Sequence, residues 1–127
     1  MNKICTSIEQ SKKLIELGID VYSADMWYHG HGSPLESKRE YDSYACPSHS
    51  IRPNWDVPAW SLAALLEGLS KWAESISEAG IVEISYEKGT KWGVSILNCG
   101  KIKDCYADNP IDACYEMIIK LHKMNLL

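Results

Sequence analysis

Between residues 81 and 98 the chain reads IVEISYEKGTKWGVSILN, in which apolar and polar side chains alternate twice. Val82, Ile84 and Tyr86 share one face of the first run and Trp92, Val94 and Ile96 one face of the second, because successive side chains of a strand point to opposite sides. Gly89 can supply the positive φ of a tight loop, so Glu87, Lys88 and Gly89 are expected to close a hairpin. That loop sets Ile84 opposite Trp92 and Val82 opposite Val94. A hairpin with one wholly apolar face does not persist alone in water, so the rest of the chain has to cover it.

Two helices are available for that. In VPAWSLAALLEGLSKW, Leu62, Leu65, Leu66, Leu69, Trp72, Ala73 and Ile76 recur at spacings of three and four, giving one broad apolar stripe, with Pro58 and Ser61 suited to a helix start. Gly68 lowers helix propensity by about 1 kcal/mol against alanine, so a break near Ser70 is expected, with resumption to about Ser77 and closure at Gly80. In YADNPIDACYEMIIKLHK, Asp108 or Asn109 caps and Pro110 takes the first helical position. Asp112 in the first turn, and Lys120, His122 and Lys123 in the last, suit the helix dipole. Ile111, Cys114, Met117, Ile118 and Leu121 form its buried stripe. A third strand is expected near Ile102 to Tyr106, after a turn around Cys99 to Lys101.

The first third is less regular. Ser7 and Gln10 have capping-box spacing and Gly18 can end a helix, which predicts a packing helix from about Ser7 to Leu17. A short strand is expected near Met26 to Tyr28. From His29 to Val57 the chain carries Gly30, Gly32, Pro34, Pro47 and Pro53 without helical or alternating pattern, and reads as a long connection. The expected architecture is a single α+β domain over residues 1–127. It holds a three-stranded antiparallel sheet covered on one face by helices, in the order helix, long loop, helix, three strands, helix.

A chain of 127 residues can bury enough apolar surface to fold without disulfides or metal, so no cofactor is expected. Its apolar runs are too short for a bilayer and MNKICTSIEQ has no apolar signal core, so a cytoplasmic protein is expected, with no membrane partner. Cys5, Cys46, Cys99, Cys105 and Cys114 are an odd set at irregular spacing, which reads as free thiols. With net charge -4 and scattered lysines there is no basic footprint for a phosphate backbone.

Chemistry-bearing residues cluster in WYHGHGSP and CPSH. Zinc takes imidazole nitrogen and thiolate, so His29, His31, Cys46 and His49 could supply four ligands, but they match no common finger or ribbon spacing and offer one cysteine. A polar loop turned by Gly30 and Gly32 is the preferred reading. Cys46 with His31 or His49 lacks the helix start, cation and oxyanion donor that a catalytic thiol needs, and no phosphate-binding glycine loop is present. No enzymatic role is therefore expected. What remains is aromatic loading: the chain has five tryptophans, seven tyrosines and no phenylalanine, and Trp27, Tyr28, Tyr41, Tyr44 and Trp55 stand in or beside the long connection. Side chains with an apolar body and a polar tip suit an interaction surface, and that role is assigned to these five.

The order helix, three strands, helix resembles the double-stranded-RNA-binding fold and that of HicB-type antitoxins, in which a strand is followed by a motif similar to YADNPIDA. Where the RNA-binding family places lysines to grip phosphates, Asp108, Asn109 and Asp112 stand here. The resemblance thus implies topology and argues against RNA. SADMWYH, VPAWSLAALLE and YADNPIDACYEMIIKL also resemble small uncharacterised proteins of gut bacteria and of their phages and integrated elements. That family lends no activity or functional residue. The expected function is binding of a protein partner, or self-association, in phage or mobile-element biology. The alternatives are a nucleic-acid-associated regulator of antitoxin type and a small zinc-binding module.

Overall fold

The computed structural model describes residues 3–47, 51–76, 81–87, 91–98 and 101–124. The chain falls into two compact units, Cys5–Ser61 and the residues from Leu62 onward together with Lys3 and Ile4.

In the later unit, α2 (Leu62–Ile76) is followed by β5 (Ile81–Glu87), β6 (Lys91–Asn98), β7 (Lys101–Ala107) and α3 (Pro110–Lys123). The strands form one antiparallel sheet in chain order. Both helices pack on it and on each other. Val94 and Ile96 in the central strand are fully buried, while Glu83, Ser85 and Asp104 on the opposite face are exposed. The α3 stripe is as the spacing predicts: Ile111, Cys114, Met117, Ile118 and Leu121 are buried, and Asn109 caps the helix by accepting from the Asp112 N–H at 2.8 Å. Lys3 Nζ donates to Asp112 Oδ1 at 2.7 Å.

Three details differ from expectation. The hairpin pairs Tyr86 with Trp92, Ile84 with Val94 and Val82 with Ile96, two residues away from the predicted register. Glu87 pairs with Lys91, which moves the connection to residues 88–90, outside the described residues; Cys99 and the Gly80 stop lie outside them too. A shift of two keeps each side chain on its own face, so the apolar face survives. It also brings the Tyr86 and Trp92 rings together, 5.1 Å between centroids. Second, α2 runs unbroken past Ser70. A Cβ at Gly68 would meet nothing within 4 Å, so this glycine lowers propensity on an open face, and the burial of Leu65 and Leu69 outweighs it. Third, Pro58 lies in a strand rather than near the helix start.

The earlier unit overturns the expected fold class. The protein is α+β, but its described residues form three sheets rather than one, because the segment read as a connection holds strands. The helix α1 (Ile8–Glu16) has the predicted capping box: Gln10 N–H donates to Ser7 Oγ at 3.1 Å and Ser7 N–H to Gln10 Oε1 at 3.0 Å. Gly18 follows at φ +92°, a conformation that glycine adopts without steric penalty. After a 3₁₀ turn at Val21–Ser23, β1 (Met26–Tyr28) pairs antiparallel with β4 (Val57–Ala59), and β2 (Gly30–Gly32) with β3 (Arg39–Tyr41). Each of these strands has three residues, too few to show a period. Cys5, Tyr28, Ala45, Val57 and Ala59 form the core, with Ile8, Met26 and Tyr41 packed on it.

Candidate functional site

Alternation along β1 and β4 gives that ribbon two faces. The pairs Met26–Ala59 and Tyr28–Val57 belong to the core cluster, so the cross-strand pair Trp27–Pro58 takes the other side. There it lies in the floor of a groove of about 490 Å³. Tyr41 from β3 extends the floor, and Val57, a member of the core cluster, borders it. Lys12 and Ile15, one turn apart on α1, form one wall with Val21 and Tyr22, while Ile51, Pro53 and Asn54 form the other. Lys12, Arg39, Glu36 and Asp56 supply the charges. Tyr22 is 85% exposed, and Ile15 and Ile51 are exposed too, so the apolar surface continues out over the rim.

The second wall is held by polar contacts rather than by regular structure. The Asp56 side chain is wholly buried, and its carboxylate accepts from Gly30 N–H at 3.0 Å, Arg52 N–H at 2.9 Å and Arg52 Nη2 at 3.1 Å. Burial alone would push this carboxyl up, but the Gly30 and Arg52 hydrogen bonds and the Arg52 charge outweigh it and hold it below its ordinary value. Gly30 O accepts in turn from Trp55 Nε1 at 2.7 Å and Arg52 Nη2 at 2.9 Å. No other residue fits position 30, since a Cβ there would come within 2.5 Å of Trp55 O and 2.6 Å of Arg39 Cδ. Asn54 takes φ +66°, which asparagine tolerates, and turns the segment. Arg39 then clamps it. Its Nη1 donates to Asn54 O at 3.0 Å and Trp55 O at 2.9 Å, its Nη2 to Pro34 O at 2.9 Å, and its guanidinium lies 4.1 Å from the Trp55 ring centroid.

The five aromatics assigned to an interaction surface separate. Trp27 and Tyr41 line the groove. Tyr28 is buried in the core, where its hydroxyl donates to Thr6 O at 2.9 Å. Burial first, and then the neighbouring Cys5 thiol, raise its pKa, so it stays protonated. Trp55 is half-buried under Arg39, and Tyr44 is 73% exposed outside the groove lining. Lys12, Ile15, Tyr22 and Ile51, which also line the groove, stand outside the surface assigned from sequence. The signal available for Lys12 and Ile15 was their shared face on a helix taken for packing alone.

His29, His31 and Cys46 take separate partners. His29 Nδ1 lies 3.4 Å from Asp56 Oδ2, His31 Nε2 contacts Asp42, and the Cys46 backbone pairs with Trp27. His49 is outside the described residues. Among the described residues, no three His, Cys, Asp or Glu side chains come together as donors for one ion. Cys5, Cys46, Cys105 and Cys114 are free thiols; burial raises the pKa of Cys105 and pushes Cys114 up to about 12, which disfavours the thiolate form of both. No described helix is long and apolar enough to cross a membrane.

Comparison with family models, with curated proteins and with solved structures finds no match to this chain.

Proposed function

We propose that this chain is a cytoplasmic binding protein without enzymatic activity, which takes a short apolar segment of a protein partner into the groove of the Cys5–Ser61 unit. The observation that carries the reading is the groove itself: a concave apolar floor of Trp27, Tyr41 and Pro58 whose apolar character continues onto exposed Ile15, Tyr22 and Ile51. Exposed apolar surface around a cleft is what a partner covers. Among the described residues the lining holds no serine, threonine, cysteine or histidine, and of its two carboxylates Asp56 is buried and already bonded to Gly30 and Arg52. The setting in phage or mobile-element biology rests on sequence resemblance alone.

The volume favours a second reading, since about 490 Å³ also suits a small organic ligand. Selection from a library of short random peptides displayed on phage tests the first. Enriched peptides should bind the full chain and lose binding to the Tyr22→Asp and Ile51→Asp variants, whose exposed positions tolerate the change. Peptides indifferent to both substitutions, or none enriched, would overturn the proposal.

A further inference from the structure

The charges around the groove narrow the occupant. Lys12 and Arg39 both line it, yet every acceptor of the Arg39 guanidinium is a neutral carbonyl: Ser33 O, Pro34 O, Asn54 O and Trp55 O. Among the described residues no carboxylate lies within ion-pair distance of it. Carbonyls and the face of the Trp55 ring attract the guanidinium, but among the described residues no anion pairs with it. Of the two carboxylates in the lining, Asp56 is fully buried, and its charge is matched by Arg52. The other, Glu36, is 70% exposed and stands 3.9 Å from Lys12 Nζ, a separation at which an exposed pair contributes little. Lys12 Nζ also lies 5.5 Å from the centroid of the Tyr41 ring, at the edge of the apolar floor. The groove therefore offers an aromatic floor beside two cations with only one loosely held anion, in a chain whose net charge is -4.

We infer that the occupant is a partner segment in which a large apolar or aromatic side chain is flanked by aspartate or glutamate. The anchor rests on Trp27 and Pro58, and the acidic side chain takes the place of Glu36 beside Lys12 and Arg39. This rests on the reading of the groove as a protein-binding site. A protein segment fits better than a free organic acid because Ile15, Tyr22 and Ile51, with Leu35 beside Glu36, extend apolar surface past the cavity where a small molecule would leave it wet.

The test sequences the displayed peptides whose binding depends on Tyr22 and Ile51, and measures synthetic copies by fluorescence polarisation on the full chain. Acidic residues should flank an apolar anchor. Lys12→Glu should weaken binding about tenfold or more and Glu36→Gln should tighten it about threefold, with binding falling as salt rises from 0.05 to 0.5 M. Arg39 is left intact because it holds the wall. Groove-dependent peptides that are neutral or basic, or acidic ones indifferent to Lys12→Glu, would overturn this inference while leaving the groove reading standing. Peptides that ignore Tyr22 and Ile51 would overturn both. So would displacement of the peptide by 3-phenylpropanoate at concentrations where the uncharged amide has no effect, together with tighter binding of that acid than of any peptide.

Discussion

Every buried polar or charged residue among those described, Thr6, Ser11 and Asp56, lies in the Cys5–Ser61 unit; the unit from Leu62 onward buries none. The later unit closes a sheet under two helices with Val94, Ile96, Met117 and Leu121, whose burial is non-directional and follows from period alone. The earlier unit has strands of three residues, and directed side-chain contacts hold it: Trp60 N–H to Thr6 Oγ1 at 3.0 Å, Thr6 to Ser11 hydroxyl at 2.8 Å, Gly30 N–H to Asp56 at 3.0 Å. A surface shaped by directed contacts can keep a concave wall that a packed sheet would fill. The unit with the weaker pattern is accordingly the one with the groove.

The largest effect belongs to the packed unit. Met117 is fully buried among the α3 stripe, so Met117→Ala should remove about 3 kcal/mol, from lost transfer free energy and the cavity left behind. Denaturant unfolding followed on the Trp92 environment measures it, and the loss should be the same at pH 4 and pH 7. A loss under about 1 kcal/mol would mean that the site collapses and that the core is less well packed than its burial indicates.

Next comes the polar anchor of the other unit. In Asp56→Asn one carboxylate oxygen becomes an NH₂ group facing the N–H donors of Arg52 or Gly30, so about 2 kcal/mol should be lost. The pH dependence has a definite sign. Because the folded state holds this carboxyl below its ordinary value, its contribution is present above about pH 4 and is lost as pH falls through the depressed value. The gap in melting temperature between wild type and Asp56→Asn should therefore narrow on acidification below about pH 4. A pH-independent gap, or none, would place the earlier unit in the same class as the later one.

Legibility in the sequence follows the same division. The α3 stripe and cap, the capping box at Ser7 and Gln10, and the hairpin at Ile84 and Val94 were readable because each rests on a period or a fixed spacing. The register was off by two because the loop was placed by Gly89 alone, while the ladder pairs Tyr86 with Trp92. Strands β2 to β4 were not readable: three residues carry no period, and the bonds that Arg39, Arg52 and Asp56 make around Gly30 and Trp55 are announced by no local pattern. Of the candidate site, aromatic loading pointed to Trp27 and Tyr41. The helix positions Lys12 and Ile15 needed the fold.

A smaller effect probes a single link of that network. Ser11 is fully buried, and its hydroxyl meets Thr6 Oγ1, the acceptor for Trp60 N–H. Ser11→Ala should cost about 1 kcal/mol, because Thr6 keeps one partner and loses the other. Thermal unfolding checks it, with Ser11→Thr as the control that retains the hydroxyl. No loss in the alanine variant would show that the buried hydroxyl pair contributes nothing net.

The smallest effect separates two of the five aromatics that the sequence assigns to one interaction surface. Tyr41 packs on the core cluster and lines the groove beside Lys12, whereas Tyr44 is 73% exposed and belongs to neither the cluster nor the lining. Tyr41→Ser should cost about 1 kcal/mol of stability through lost apolar burial and should weaken any peptide that depends on Tyr22. Tyr44→Ser should change stability by less than about 0.5 kcal/mol, as surface substitutions usually do, and leave the same peptide unaffected. Both are read from melting curves and fluorescence polarisation on the same preparations. If Tyr44→Ser weakens the peptide as much as Tyr41→Ser does, the binding surface extends beyond the groove across the exposed aromatic. If Tyr41→Ser destabilises but leaves binding intact, Tyr41 serves the core only, and the floor of the groove is set by Trp27 and Pro58 without it.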